Sequence, residues 1–312
     1  MTTMGYHPLY LFEGDQRALA LVRGWTRGVR RVIARANLFA AGVDGGFVTR
    51  AVEAMAQLGV SYVRVGDSMW GLGKSETTNA SHGARTTVIQ RHTFVLDLAQ
   101  SEEMLLRNQG PSVRTSVRKA ERAGVEVREI TTSADLEAYC ALARGTSARV
   151  RSVSAYTDFP TSFFTELFKR MTGTGAAKFY LACIDATPVA GAIFLCSKER
   201  MLYFAGASTR DRAYTALQAP TAVLWHAIRG AKRLGLSRFD FGGCTPTEDP
   251  RDPRYGVYAF KRRWGGDLET FYNLEVVVAP ALVWFQDRVL SPLWNRVHPF
   301  YFRLLELRKA LP

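Results

Sequence analysis

Two nine-residue stretches, 58–66 (LGVSYVRVG) and 234–242 (LGLSRFDFG), align without a gap about half a chain apart. Each opens with Leu-Gly at the end of a helical pattern, passes through Ser, runs on as a short strand-like segment and stops at Gly. A glycine just past a helix suits the left-handed turn that closes it, and the six residues that follow suit a half-buried strand. A helix-Gly-strand unit of this kind belongs to α/β folds, where a chance likeness is the competing reading. Its recurrence at this distance points to an α/β domain built twice.

The flanking segments agree. Residues 8–22 read as two short strands around the turn Glu13-Gly14-Asp15-Gln16, and residues 45–58 space Phe47, Val48, Val52, Met55 and Leu58 as one helical face. Strands are expected at 60–65 and 92–98, helices from Ser101 and from Pro111, and a strand at 125–130. Residues 66–91, rich in Gly, Ser, Thr and Asn, read as a long loop. In the second half, helices are expected at 133–144, 160–171 and 215–234, and strands at 178–184, 188–196, 201–207, 236–241 and 270–278. Residues 279–312 read as a helical tail rich in aromatics and arginine, interrupted by Pro292 and Pro299.

Charge narrows the class of partner. Lys and Arg number 41 against 28 acidic residues, a formal net charge of +13, which favours polyanions such as nucleic acid, sugar nucleotides or anionic lipid. Cys140, Cys183, Cys196 and Cys244 lie scattered in mostly apolar surroundings without CxxC spacing, and the five histidines are equally dispersed. Neither a disulfide frame nor a metal site is expected. No apolar run is long enough to span a bilayer and the first residues show no basic-then-apolar leader, so a cytoplasmic protein is expected.

Two segments carry candidate chemistry. Arg114, Arg118 and Arg122 recur every four residues in PSVRTSVRKAERAGV, stacking like charges on one helical face. The row reads either as a solvated surface or as a face held by an anionic substrate. Residues 239–266 (FDFGGCTPTEDPRDPRYGVYAFKRRWGG) are denser. A strand ends at Asp240 and opens at Gly242 and Gly243, where backbone amides can approach a ligand closely. A Pro- and Asp-rich loop then leads to Tyr255, Tyr258, Phe260, Lys261, Arg262 and Trp264. Aromatic rings among cations suit a nucleotide end or a sugar phosphate; aromatics at this spacing equally suit a core.

The run RHTFVLDL…VRTSVRKAERAGVEV, the segment APTAVLWHAIRGAKRLGLSRFDFGGC and the closing GVYAFKRRWGG resemble the FemABX family, over roughly residues 90–280. Those enzymes build cross-bridges in bacterial cell-wall precursors from aminoacyl-tRNA, and transferases of peptide antibiotic pathways share the motif set. The resemblance implies two tandem GNAT-like α/β domains, with mixed sheets flanked by helices and no coiled-coil arm. Residues 1–130 would form the first, acceptor-side domain and 131–278 the second, motif-bearing one, with the tail 279–312 packing on the first. It further implies that Phe260 and Lys261 meet the aminoacyl end of the tRNA, with Lys261 stabilising the oxyanion of acyl transfer. No cofactor is required, since aminoacyl-tRNA is itself the co-substrate. The other implied partner is a peptide or peptidoglycan-precursor acceptor, and the tail offers peripheral contact with the inner face of the membrane. Asp240 is the candidate base, against a plain turn-capping role. Arg114, Arg118, Arg122, Tyr255, Tyr258, Arg262, Gly242 and Gly243 are the candidate substrate contacts.

Two rivals remain at this stage. A CoA-dependent N-acyltransferase needs a glycine-rich pyrophosphate loop before a helix, and the corresponding residues 210–216 (RDRAYTA) contain no glycine. The segment 107–112 imitates such a loop, but Pro111 removes one of its amides. A non-enzymatic RNA- or membrane-binding module rests on Trp284, Phe285, Trp294, Phe300, Tyr301 and Phe302 among the arginines of the tail.

Overall fold

A computed structural model describes residues 7–27, 30–40, 44–66, 85–150, 161–290 and 292. The chain divides into two compact units, residues 1–90 with 271–312 and residues 91–270.

The first unit is a sheet in the order β1 (His7–Glu13), β2 (Gln16–Arg27), β3 (Arg30–Ala40), β4 (Val60–Val65), β11 (Asp267–Val277), antiparallel except for the β3–β4 pair. The expected hairpin is present, with Glu13 facing Gln16 and Gly14 at φ +58°. Helix α1 (Gly45–Gln57) starts where Asp44 accepts from the Phe47 amide at 2.7 Å. It buries Phe47, Val48, Val52 and Met55 against Ala20, Val22, Ala36, Leu38, Val63 and Val65 of the sheet.

The second unit is a six-stranded sheet in the order β5 (Arg85–Asp97), β10 (Arg238–Cys244), β9 (Arg200–Ser208), β8 (Thr187–Cys196), β7 (Ala177–Ile184), β6 (Glu126–Glu129). Only β9 and β10 run parallel. Before β6 come α2 (Glu102–Asn108), capped by Ser101, and α3 (Pro111–Arg122); after it come α4 (Ser133–Val150) and α5 (Thr161–Met171). A short α6 (Arg212–Thr215) precedes α7 (Ala219–Arg233), and α8 (Tyr255–Arg262) follows β10. Helix α7 packs Val223, Leu224, Ala227 and Ile228 into one core with Phe194, Phe239 and Phe241, while Tyr139 and Phe164 of α4 and α5 join Phe179 and Ile193 in another.

The internal repeat is carried by the backbone as well as by the letters. Gly59, Gly66, Gly235 and Gly242 all take left-handed φ, at +82°, +87°, +75° and +75°. Each repeat ends a helix and opens the parallel strand beside the one preceding that helix: β3–α1–β4 in the first unit and β9–α7–β10 in the second. The fold is therefore α/β with two GNAT-like domains of mixed sheet and flanking helices, and no coiled coil occurs among the described residues.

Three expectations need correction. The domain boundary drawn at 130 falls inside the second unit, because β6 pairs with β7 and α3 packs on α7. Residues 85–91, read as loop, are the first half of β5; their outward polar side chains hid the strand. Residues 67–84 of that loop lie outside the described residues, as do 291 and 293–312 of the tail. The single helix expected at 215–234 is broken at Gln218, which takes φ +64° directly before Ala219 and Pro220. The tail begins as helix α9 (Pro280–Phe285), passes into a π-helical turn (Gln286–Leu290), and belongs to the first unit.

Candidate active site

The parallel pairing of β10 with β9 stops at Asp240 opposite Leu202, although both strands continue. On its other side β10 shifts register against β5 between Asp240 and Gly243. A strand that leaves one neighbour and bulges against the other loses ladder partners for its carbonyls. Lys261, on α8, replaces them: its Nζ donates to Gly242 O and to Gly243 O, each at 2.9 Å. Gly242 is confined here, since at φ +75° a Cβ would stand 2.9 Å from Tyr203 O.

Lys261 is 8% exposed, and burial pushes its pKa down to about 8, against small upward pulls from Cys244 and Asp240. As an ammonium it has three N–H groups, two of which the carbonyls take; no third partner exists among the described residues. A buried ammonium with one open position, at the point where two parallel strands part, can donate to a developing oxyanion.

Asp240, the candidate base, is placed as an anchor of the turn, the alternative role read for it. It is fully buried, and its Oδ1 accepts from the Thr93 hydroxyl and, at 2.7 Å, from Gly242 N, while Oδ2 accepts from Arg200 Nη1 at 2.9 Å. A carboxylate with this set of donors anchors the turn and neutralises a cation. Arg200, which also reaches Glu269, escaped the sequence reading because it stands 40 residues away and nothing local marks it.

The arginine row divides. Arg114 Nη1 donates to Arg107 O at 2.6 Å and Gln109 O at 2.7 Å, closing the carbonyl end of α2 instead of facing a substrate. Arg118 and Arg122 are exposed and neither has a carboxylate partner among the described residues; Arg122 only returns to Arg118 O at 3.3 Å. The aromatic-basic run divides likewise. Tyr258 is core, its ring 5.7 Å from Phe94, and Arg262 lies over it while donating to Glu248 at 2.7 and 2.9 Å. Trp264 is buried and stacked on Phe241. Tyr255, at the start of α8, and Phe260 stay half-buried, and the half-buried Arg263 guanidinium lies 4.8 Å above the Phe260 ring and donates to Thr221 Oγ1 at 2.8 Å. Arg263, in the run but not among the candidate contacts, has no carboxylate partner among the described residues, and burial lowers its pKa.

The start of α7, where a GNAT-type pyrophosphate cradle would sit, is closed. Pro220 has no N–H, and the amides of Thr221 and Ala222 both return to Gln218 O. Upstream, Asp211 caps the Ala213 amide of α6. The row of free amides that a pyrophosphate needs is not formed. Among the described residues no group of side chains could hold a metal ion, and the four cysteines are free.

Comparison with known proteins agrees with this architecture. The acetyltransferase (GNAT) domain model matches residues 107–262, half the chain. Lipid II:glycine glycyltransferase of Staphylococcus haemolyticus is 30% identical over 77 residues, covering 25% of this chain and 18% of that protein, and the Staphylococcus epidermidis protein matches to the same extent. The chain thus matches less than a fifth of the length of these relatives. In structure, FemX superposes with a TM-score of 0.69 at 15% identity, covering 91% of each chain. L-PGS from Bacillus licheniformis follows at 0.58 and 11%, covering 88% of this chain and 87% of that one; at such identities the likeness is one of fold. With its twice-built α/β unit, the chain belongs to the acetyltransferase (GNAT) domain family, and within it is similar in sequence to lipid II:glycine glycyltransferases and in fold to FemX.

Proposed function

We propose that the protein is an aminoacyltransferase that takes an amino acid from aminoacyl-tRNA and joins it to an amine of a peptidoglycan precursor or a related peptide, including those of antibiotic pathways. The observation that carries this reading is the buried Lys261 at the strand splay, beside a helix start that lacks a pyrophosphate cradle. The tRNA ester is already activated, so no enzyme nucleophile is required. The acceptor amine attacks the ester carbonyl, and the third N–H of Lys261 stabilises the oxyanion, an effect worth roughly 3 kcal/mol. Collapse breaks the ester bond, and the ribose oxygen leaves with the proton that the amine gives up. This removes the need for the base once assigned to Asp240.

Arg118, Arg122 and the adjacent Lys119 supply exposed charge, without a carboxylate partner among the described residues, suited to the phosphates of the donor. Phe260 and Tyr255, half-buried near Lys261 on α8, are the rings on which the terminal nucleotide would rest. Because the relatives with matching sequence are named for glycine and lipid II, glycine is the first amino acid to test and a lipid-linked cell-wall peptide the first acceptor. A charged tRNA donor places the reaction in the cytoplasm, at the inner face of the membrane when the acceptor is lipid-linked.

The test is a label-transfer assay in which purified protein receives charged tRNAs or, separately, acetyl-CoA, with precursor extract as acceptor. Label moving from tRNA, and abolished by ribonuclease, is the expected result. Label moving only from acetyl-CoA would replace the donor and assign the chain to CoA-dependent N-acyl transfer.

A further inference from the structure

One face of the first unit's sheet carries α1; the opposite face carries large apolar groups open to solvent. Leu9 and Leu11 pack toward the α1 core, so the alternation of β1 directs Tyr10 and Phe12 to the opposite face. On that face Arg35 lies 4.9 Å above the Tyr62 ring and donates to Gln286 Oε1 at 3.0 Å and Asp287 Oδ1 at 2.5 Å, fixing the π-helical turn there. Ser61 O accepts from the amides of Val278 and Ala279, which sets the start of α9 against β4. Tyr10 is 66%, Phe12 69% and Trp284 62% exposed, and Leu282 and Phe285 are exposed with them. Apolar groups of this size gathered on one face mark a contact surface.

The charge of the following chain identifies what it meets. Residues 291–312 bring Arg296, Arg303, Arg308 and Lys309 against one acid, Glu306, interleaved with Trp294, Phe300, Tyr301 and Phe302. Aromatic rings beside cations suit the headgroup layer of an anionic bilayer, with the rings at the acyl boundary and the cations on phosphates. No helix among the described residues is long and apolar enough to cross a membrane. We infer that this face of the first unit, built from Tyr10 and Phe12 of β1 and Leu282, Trp284 and Phe285 of α9, docks on an anionic lipid surface.

The test uses the full chain with vesicles of phosphatidylcholine, with and without phosphatidylglycerol, and no tRNA, so its outcome is separate from that of the transfer assay. Co-sedimentation should favour the anionic vesicles and weaken with salt. The pairs Trp284→Ser/Phe285→Ser and Tyr10→Ser/Phe12→Ser should each reduce partitioning roughly tenfold or more. With brominated lipid, tryptophan emission of the wild type should be quenched, and Trp284→Phe, which keeps the apolar contact, should be quenched less, the remainder coming from Trp294. Binding indifferent to lipid charge, or undiminished in both serine pairs, would overturn the inference, as would emission unaffected by bromine. A dimer of the free protein that either serine pair dissociates would also overturn it, because a second copy would then cover the face.

Discussion

Lys261 offers a stability test that depends on the site's geometry and not on any assumed substrate. Its pKa is about 8 in the fold and 10.5 as the ordinary value, so between these the unfolded chain holds a proton that the folded chain has released. Unfolding stability must therefore rise with pH across this window, and the contribution is lost as pH falls through about 8. Integrating between about pH 7 and about pH 9.5 gives roughly 2 kcal/mol from this residue alone. The neutral amine still has two N–H groups, enough for the carbonyls of Gly242 and Gly243, so deprotonation need not open the turn. The assay is urea unfolding of wild type and Lys261→Met at several pH values, read as the difference between the two proteins. That subtraction removes the cysteines and tyrosines, whose raised pKa values act in the opposite direction above about pH 9. The gap between wild type and variant should widen in favour of the wild type as pH rises. Parallel pH profiles would refute the argument, showing that Lys261 titrates as an exposed amine and does not sit desolvated against the parted strands.

Three further outcomes follow from the same geometry. Asp240→Asn should lower stability by about 3 kcal/mol or more, since it leaves Arg200 without its buried counter-charge; lost turnover with unchanged urea stability would restore Asp240 as a base. Gly242→Ala should destabilise by about 2 kcal/mol or more, because it combines left-handed backbone with a Cβ pressed on Tyr203 O; a melting temperature equal to wild type would show that β10 can shift. Arg118→Glu should weaken retention of charged tRNA and flatten its salt dependence while leaving thermal unfolding in place, whereas Arg114→Glu should lower thermal stability because that guanidinium closes α2. Equal retention by Arg118→Glu and wild type across salt concentrations would return the exposed row to a solvated surface.

How much of the site was legible in the sequence varies with the range of the interactions. The repeat at 58–66 and 234–242 announced a twice-built α/β fold because left-handed glycines and strand alternation are properties of adjacent residues. Lys261 stood out within a dense motif, but its partners are two backbone carbonyls exposed by a bulge, which no side-chain pattern records. Of Arg114, Arg118 and Arg122, equally spaced on one helix, the first is held by the preceding helix end and the others have no carboxylate partner among the described residues; spacing along α3 cannot tell them apart. Tyr258 and Arg262 looked like ligand groups until Phe94 and Glu248 were seen to occupy them.

The sequence by itself determined what local rules control: the helix-Gly-strand units, the capped starts of α1 and α2, the hairpin at Gly14, the excess of positive charge and the absence of a cysteine frame. Only the tertiary structure decided which polar groups remain available for chemistry. That depends on who meets whom across distant segments: Asp240 with Arg200 and Thr93, Lys261 with the carbonyls of β10, Arg263 with Thr221. Buried polar groups must find partners wherever the fold brings them, and the groups left with an open donor at the end of that pairing are the ones able to act on a substrate.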